Sequence, residues 1–404
     1  MDPLDIIENV SHVFPHFQPI MNSEEYKVIG YEVLGQIEIN GEAQSLAPFF
    51  LDANVPVDYK WEVDKEIYHK AVKQALDDPS QPKLFFNIDP TTLVQLDCLE
   101  ELMETFERFT KQGLNPNRVV FEFRVNDYSG DFNDLSHMLL YIKASGYQVA
   151  LDDIRTHDTN LDFFSKLEPN MIKVDLSDLK EGMNFFSYKD VLNALATFSR
   201  KIGAALHFKG IQSFHQLHTA WKHGGRYLQG SYLQNPASHF IDPFSSKAIL
   251  EETIHSFIDM AHRKLQRQID FIRSMDNDIA VNLKGKQLTT EELVEVIARA
   301  TQAVSFRVYI CDLYGYQKSA NWLKLENNQW HQDLQAKGKN WSWRTYFLDQ
   351  IMQMRHRKMG MLSDKYRDIE TNDLIRTYSY PVDDQQYVFI DLDPDFLYEN
   401  DWLR

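Results

Sequence analysis

Leu84-Phe85-Phe86-Asn87-Ile88, running straight into Asp89-Pro90-Thr91, is the stretch on which the fold turns. A short, almost continuous apolar run suits a strand covered on both faces. Asp89 then offers an N-cap and Pro90 a first helical position. A strand that passes directly into a helix is one step of a parallel β/α alternation. The step recurs from about residue 15 to about residue 240. Strands are read at Val119 to Phe123 (after the loop Gly113-Leu114-Asn115-Pro116), Gln148 to Leu151 (after Ser145-Gly146), Met171 to Val174, Gly203 to Phe208 and Tyr227 to Tyr232. Amphipathic helices lie between them at Leu93 to Lys111, Phe132 to Lys143, Val191 to Lys201 and Phe214 to Lys222. This many repeats favours a (β/α)8 barrel over an open doubly wound sheet, and no GxGxxG or Walker motif argues for a nucleotide fold.

Past residue 243 the alternation stops. Ser246 to about Asn282 reads as one long helix, with a packing role and a connecting or dimerising role both open. After Leu283-Lys284-Gly285-Lys286 come a helix at Thr290 to Ala300 and strand-like runs at Ser305 to Cys311, Gln317 to Leu323, Ile375 to Pro381 and Gln386 to Leu392. A helix with antiparallel strands suggests a small α+β domain. The expected organisation is therefore a barrel over 1–245, a connecting helix over 246–284 and a second domain over 285–404.

The net charge of −17 and the lack of a polybasic stripe argue against duplex nucleic acid and anionic membrane surfaces as partners. No apolar run approaches the ~18 residues of a membrane helix, and the acidic start lacks the signal-peptide pattern. Cys98 and Cys311 are far apart and read as packing residues in a reducing compartment. A cytoplasmic protein is expected.

Four strand ends carry an acid or an amide: Tyr31-Glu32-Val33-Leu34, Phe85-Phe86-Asn87, Phe121-Glu122 and Leu151-Asp152-Asp153. One such acid is ordinarily a solvated loop residue or a helix cap. Several on successive strands are different, because barrel sites form at the C-terminal strand ends. Hard divalent ions take oxygen ligands, so Glu32, Asn87, Glu122, Asp152 and Asp153 read as a metal-binding rim. Lys173, inside the apolar Met171-Ile172-Lys173-Val174, is expected to point into the barrel mouth.

Residues 14 to 240 resemble the EAL-domain family, enzymes that linearise cyclic di-GMP on a (β/α)8-type barrel whose first strand is antiparallel. The matching text is Phe17-Gln18-Pro19-Ile20, Glu32-Val33-Leu34 for E-A-L, Asn87, Glu122 for the first acid of E-x-T-E, Asp152-Asp153 for D-D-F-G, Lys173 in Ile172-Lys173-Val174-Asp175, and Gln229-Gly230 for Q-G-Y. The resemblance implies two Mg2+ or Mn2+ ions about 3.5 to 4 Å apart that ionise water and offset phosphate charge. It further implies that Asp153 bridges or holds the second ion, that Lys173 orders or deprotonates the attacking water or offsets phosphate charge, and that Gln229 orients a metal-bound water. Gln18, Glu32, Leu34 and Gln36 fall where the family contacts its ligand. Residues 250 to 404 resemble the C-terminal sensory domain of the YkuI-like proteins, a PAS- or Cache-like fold. There Arg344, Tyr346, Tyr366 and Asp368 match the residues that line a small-ligand pocket in Cache-like sensors, against the plainer reading of an aromatic core with surface ion pairs.

Four positions depart from the family pattern. The A-E-G-V-E stretch is Phe208-Lys209-Gly210-Ile211-Gln212, which puts Lys209 and Gln212 at its two acids. Val125 replaces the second acid of E-x-T-E, and Gln36 replaces a phosphate-contacting arginine. Lys209 is expected to pair with Glu32, Glu122 or Asp152 as an internal cation, which cannot bind and ionise water as a metal does. The leading expectation is a cyclic di-GMP signalling protein with weak or absent hydrolysis, which binds the dinucleotide or a protein partner, is a homodimer, and is coupled to the C-terminal domain. The alternatives are an active phosphodiesterase sustained by Asp175 or a single ion, and a purely structural dimer.

Overall fold

The computed structural model describes residues 3–39, 41–125, 128, 130–154, 161–179, 186–344 and 346–403. The chain separates into two compact units, residues 1–256 and 257–404, and the division falls inside one continuous helix, Lys247–Leu283.

Among the described residues the first unit has a nine-stranded sheet: β1 (Val13–Asn22), β2 (Lys27–Ile39), β3 (Glu42–Ser45), β4 (Lys83–Ile88), β5 (Val119–Arg124), β6 (Gln148–Ile154), β7 (Met171–Asp175), β8 (Ala205–Lys209) and β9 (Tyr227–Leu228). Parallel pairing runs from β2 through β4, β5, β6, β7 and β8 to β9. β1 is antiparallel to both β9 and β2, so it closes an eight-stranded barrel against the direction of its neighbours. β3 is a short outer strand on β2.

Side chains alternate across each strand, which sorts the barrel into layers. Outward-facing Phe86 and Phe121 meet Phe106 of the helix Leu99–Lys111 at ring-centroid distances of 5.2 and 4.8 Å. Inside, Ile20, Phe85, Val120, Ala150, Met171 and Tyr227 form an apolar plug. Two residues further along these strands come Asn87, Glu122, Asp152 and Lys173, so the strand alternation itself stacks a polar layer on the plug.

The barrel and its parallel alternation match the sequence expectation, with strand ends within about two residues in most cases. Two elements differ. The helix read over Leu93 to Lys111 is two helices, Pro90–Gln95 and Leu99–Lys111, because Asp97 takes a left-handed backbone (φ 48°) between them. The last strand stops at Leu228, where the chain folds back and Gln229 to Tyr232 hydrogen-bond with Phe208 and Ile211. The long helix Val57–Asp77, which packs beside β1, was not read from the sequence.

The second unit has a six-stranded antiparallel sheet in the order β12-β11-β10-β17-β16-β13, where β10 is Ser305–Asp312, β11 Asn321–Lys324, β12 Trp330–Asp333, β13 Met361–Leu362, β16 Thr377–Pro381 and β17 Gln386–Leu392. The run read as Ile375 to Pro381 is divided at Arg376: Leu374–Ile375 (β15) pairs instead with Tyr366–Arg367 (β14). The run read from Gln317 is a strand only from Asn321, and Gln317 makes an isolated bridge to Cys311. The helix Thr290–Ala300 forms as expected, closed by a capping box between Thr289 and Glu292. Cys98 and Cys311 are both buried and unpaired.

Gly210 shows how tightly the rim is held. Its φ is +70°, and an added Cβ would lie 2.3 Å from Ser177 Oγ and 2.5 Å from Asp175 Oδ1. Gly210→Ala is expected to cost at least ~2 kcal/mol through backbone strain and overlap, read as a lowered midpoint in urea unfolding.

Candidate functional site

β6 and β7 set the geometry. Asp153 has a left-handed backbone (φ 57°), and the β6–β7 register is broken between Leu151 and Ile154. Aspartate is one of the few side chains that visits this region readily. The irregularity leaves Asp152 2% exposed inside the barrel and Asp153 at its rim.

Lys173 is the centre of the polar layer and is fully buried. Its Nζ lies 2.7 Å from each carboxylate oxygen of Glu122 and 2.9 Å from Glu32 Oε2. All three ammonium donors therefore end on carboxylates. Asp152 Oδ1 is 3.8 Å away. Glu32 is further held by Asn87 Nδ2, which donates to Oε1 at 2.9 Å, and by Gln229 Nε2, which donates to Oε2 at 2.7 Å. Lys209 approaches from β8: its Nζ is 2.8 Å from Asp152 Oδ1 and 3.8 Å from Asp153 Oδ1. Of the three partners expected for Lys209, the structure gives it Asp152, while Glu32 and Glu122 belong to Lys173.

Electrostatics follows from burial opposed by these contacts. Burial acts to raise Glu32 and Asp152, but Lys173 and Lys209 outweigh it and hold both below the usual carboxylate range. Burial pushes Glu122 up, helped by Glu32 and Asp152, and the Lys173 ammonium on both of its oxygens opposes this and favours the ionised form. Burial would lower Lys173, yet Asp152, Glu122 and Glu32 together raise it. Lys173 is thus firmly an ammonium.

The oxygen donors of Glu32, Asn87, Glu122 and Asp152 are of the kind that Mg2+, Mn2+ and Ca2+ take. In this arrangement, however, the carboxylates are already engaged by ammonium and amide groups. Among the described residues no group of three or more His, Cys, Asp or Glu side chains is placed to hold a metal ion. A divalent ion ~4 Å from an ammonium meets a repulsion of about 8 kcal/mol at an effective dielectric of about 20. Lys209 brings such a charge to the position where the resemblance expects an acid.

The remaining sequence candidates divide. Gln18 is buried and donates to the Gln234 carbonyl at 2.6 Å, a scaffold contact. Leu34 and Gln36 are half-buried towards the end of β2, and Val125 is buried after β5. Gln212 is exposed, and its backbone N–H donates to Gln216 Oε1 at 2.6 Å. Gln216 was missed by the sequence reading. It is 4% exposed, and its Nε2 donates to the carbonyls of Leu176 (2.8 Å) and Leu179 (3.2 Å), fixing the loop after β7. Its signal was the Ser213-x-x-Gln216 spacing of a helix start. His207 was missed as well: it is fully buried beside Lys173 on β8, and neither ring nitrogen has a hydrogen-bond partner. Burial, with Lys173 second, drives its pKa well down, so it is neutral.

In the second unit Arg344 stacks near Trp341, Tyr366 and Trp343 (4.7, 5.7 and 6.0 Å from guanidinium to ring centroid) and donates to Tyr346 Oη at 3.1 Å. Tyr346 and Tyr366 lie 6.0 Å apart, centroid to centroid. Asp368 stands apart from this set: it is 3% exposed and bound by Arg307, which also donates to Asp391 Oδ2 at 2.6 Å and Glu370 Oε2 at 2.9 Å. Arg307→Met would leave Asp368 and Asp391 buried without their cation, an expected loss of about 3–5 kcal/mol, to be measured as a lower unfolding midpoint of the full-length chain.

A barrel with a reversed first strand and a rim of Glu32, Asn87, Glu122, Asp152, Lys173 and Gln229 defines a class, and the chain belongs to it: the EAL-domain family, whose domain profile matches residues 6–236. A second profile, described as an EAL-domain associated signalling protein domain (YkuI_C), matches residues 240–404. The chain is 39% identical to the uncharacterized EAL-domain containing protein YkuI of Bacillus subtilis over all of both chains. It superposes with a TM-score of 0.93, over the full length of both, on the crystal structure of that protein in complex with substrate c-di-GMP and calcium. The FimX EAL domain of Pseudomonas aeruginosa, solved bound to c-di-GMP, shares the fold at 21% identity and a TM-score of 0.51, covering 61% of this chain and 100% of that one.

Proposed function

We propose that the barrel binds cyclic di-GMP and that two-metal hydrolysis of it is impaired or lost. Support for binding is the full-length likeness to YkuI, whose structure holds c-di-GMP with calcium. The observation that carries the loss of hydrolysis is Lys209 against Asp152 and Asp153, where the family pattern has an acid. An ammonium in that place neutralises the two aspartates but supplies no water of lowered pKa.

On this reading the residues of the polar layer keep the rim in register rather than drive chemistry. Asn87 and Gln229 orient Glu32; Lys173 and Lys209 balance charge. A bound divalent ion would supply phosphate neutralisation, as it does generally for nucleotide ligands. Asp175, the acid that could have sustained an active enzyme, is committed elsewhere: its Oδ1 accepts from Ser177 N at 2.7 Å and Ser177 Oγ at 2.6 Å. Among the described residues no helix is long and apolar enough to cross a membrane. We further propose that the barrel state is read out by the second unit, since the helix Lys247–Leu283 is continuous through the division. Homodimerisation, and a protein partner in place of or beside the dinucleotide, belong to the same proposal, as does a small-ligand role for Arg344, Tyr346 and Tyr366.

Calorimetry with cyclic di-GMP, with and without Mg2+, paired with product analysis after incubation with Mn2+, tests it. Binding with no linear dinucleotide product is expected. Lys209→Glu is expected to raise Mn2+-dependent product formation at least ~10-fold over the parent chain, by restoring an oxygen ligand in place of a cation. Ready hydrolysis by the parent chain, or no binding at all, would overturn the reading.

A further inference from the structure

No aspartate or glutamate occurs between Asp190 and Asp242, in a chain that carries 59 acids and a net charge of −17. The same stretch holds Arg200, Lys201, Lys209, Lys222 and Arg226. These cations are scattered in sequence, and the fold gathers several of them. The helix Phe186–Ile202 leads into β8 and the helix Phe214–Lys222 leads away from it. Where the two helices end there is a cavity of about 680 Å3, lined by Arg200, Lys222, His223 and Arg226, with an amide from Asn193 and a hydroxyl from Thr197. Ala205 and Leu206, at the start of β8, line it too, whereas Lys209 ends that strand. Leu206 and Lys209 lie about 10 Å apart at ~3.3 Å per residue. The cavity is therefore at the opposite end of the barrel from the polar layer.

Cations near helix C-termini offset the macrodipole, and that accounts for the sign of Arg200 and Lys222. It does not account for the missing acids: the helix Leu99–Lys111 also ends in basic residues, yet it carries Glu100, Glu101, Glu104 and Glu107. Two helix ends bring about one negative charge between them, which the two wall cations exceed. Among the described residues neither Arg200 nor Lys222 forms an ion pair, while Arg226 is held by Glu24 at 3.1 Å. His223 is buried and its Nδ1 bonds the Thr219 carbonyl at 2.8 Å. After burial, the charges that lower its pKa are Lys222 and Lys189, with no acid among them. The local field is thus positive in a strongly acidic protein.

A hollow of this volume suits a ligand of nucleotide size, and concavity favours a small molecule over an acidic polypeptide. We infer that the cavity is a second ligand site, for a phosphorylated small molecule whose phosphoryl oxygens are held by Arg200 and Lys222. The site is independent of what the barrel mouth binds.

The test is calorimetric titration of the full-length chain with sodium pyrophosphate and with ADP, in chelator and at ~0.15 M salt. The chelator keeps divalent ions from carrying phosphate into the barrel mouth. One equivalent of at least one probe is expected to bind with a Kd below ~1 mM. Pyrophosphate binding as tightly as ADP would identify a plain phosphate site, and tighter binding of ADP a nucleotide site. Arg200→Ala and Lys222→Ala are each expected to weaken binding at least ~10-fold, as for the loss of a charged hydrogen bond. Lys201→Ala, exposed and off the cavity wall, is expected to change it less than ~2-fold. Arg200 and Lys222 are exposed as well, so both variants should fold; Arg200→Gln and Lys222→Gln repeat the test if either alanine lowers the melting temperature. Binding of neither probe, an equal loss in Lys201→Ala, or binding of polyglutamate in place of both probes would overturn the inference. These variants leave the barrel mouth intact, and cyclic di-GMP is titrated separately into the parent chain, so failure of the functional reading and failure of this inference are distinguishable.

Discussion

Three carboxylates cannot share the inside of a barrel unless something positive is placed among them, and this constraint organises the first unit. Glu32, Glu122 and Asp152 come from β2, β5 and β6; the cations that meet them come from β7 and β8. Five strands are thereby tied by charge at one level of the barrel, above a plug that ties the same interior by apolar packing. A net surplus of acid over the whole chain is no obstacle, because the balance that matters is local and desolvated.

The second unit solves a similar problem with different chemistry. Arg307 on β10 meets Asp391 on β17 and Asp368 in the β14–β15 hairpin, and Asp391 also accepts from Thr377 Oγ1 at 2.6 Å. Here the carboxylates are met by a rigid planar fork, whereas the lysines of the barrel meet theirs as compact point charges. Asp276, on the helix Lys247–Leu283, accepts from the Tyr378 hydroxyl and from Gly360 N at 2.9 Å, so this helix is bound to the sheet of its own unit by polar contacts as well as by the packing of Met275 and Ile279.

Much of this was legible in the residues. Apolar runs ending in Asn87, Glu122 and Asp152 announced both the parallel strands and the rim, because strand alternation forces these positions inward together. Local propensity could not show where Lys173 and Lys209 would find their partners: which carboxylate a long side chain meets depends on barrel stagger and on the bulge at Asp153. Gln216 and Arg307 escaped for the same reason, since their partners lie 40 and 84 residues away. The break at Asp97 escaped because nothing in Leu93 to Lys111 except one left-handed residue interrupts a good helical pattern.

Position 36 has a consequence of another kind. Its backbone is paired on both sides, with Phe14 of β1 and with Ser45 of β3. The replacement of an arginine by Gln36 is therefore a change of side chain on an immovable ribbon, with no hinge or loop to adapt around it. The side chain at position 36 can therefore vary while the scaffold stays as it is, which makes the outer end of β2 a place where proteins that share this barrel can diverge without rebuilding a loop.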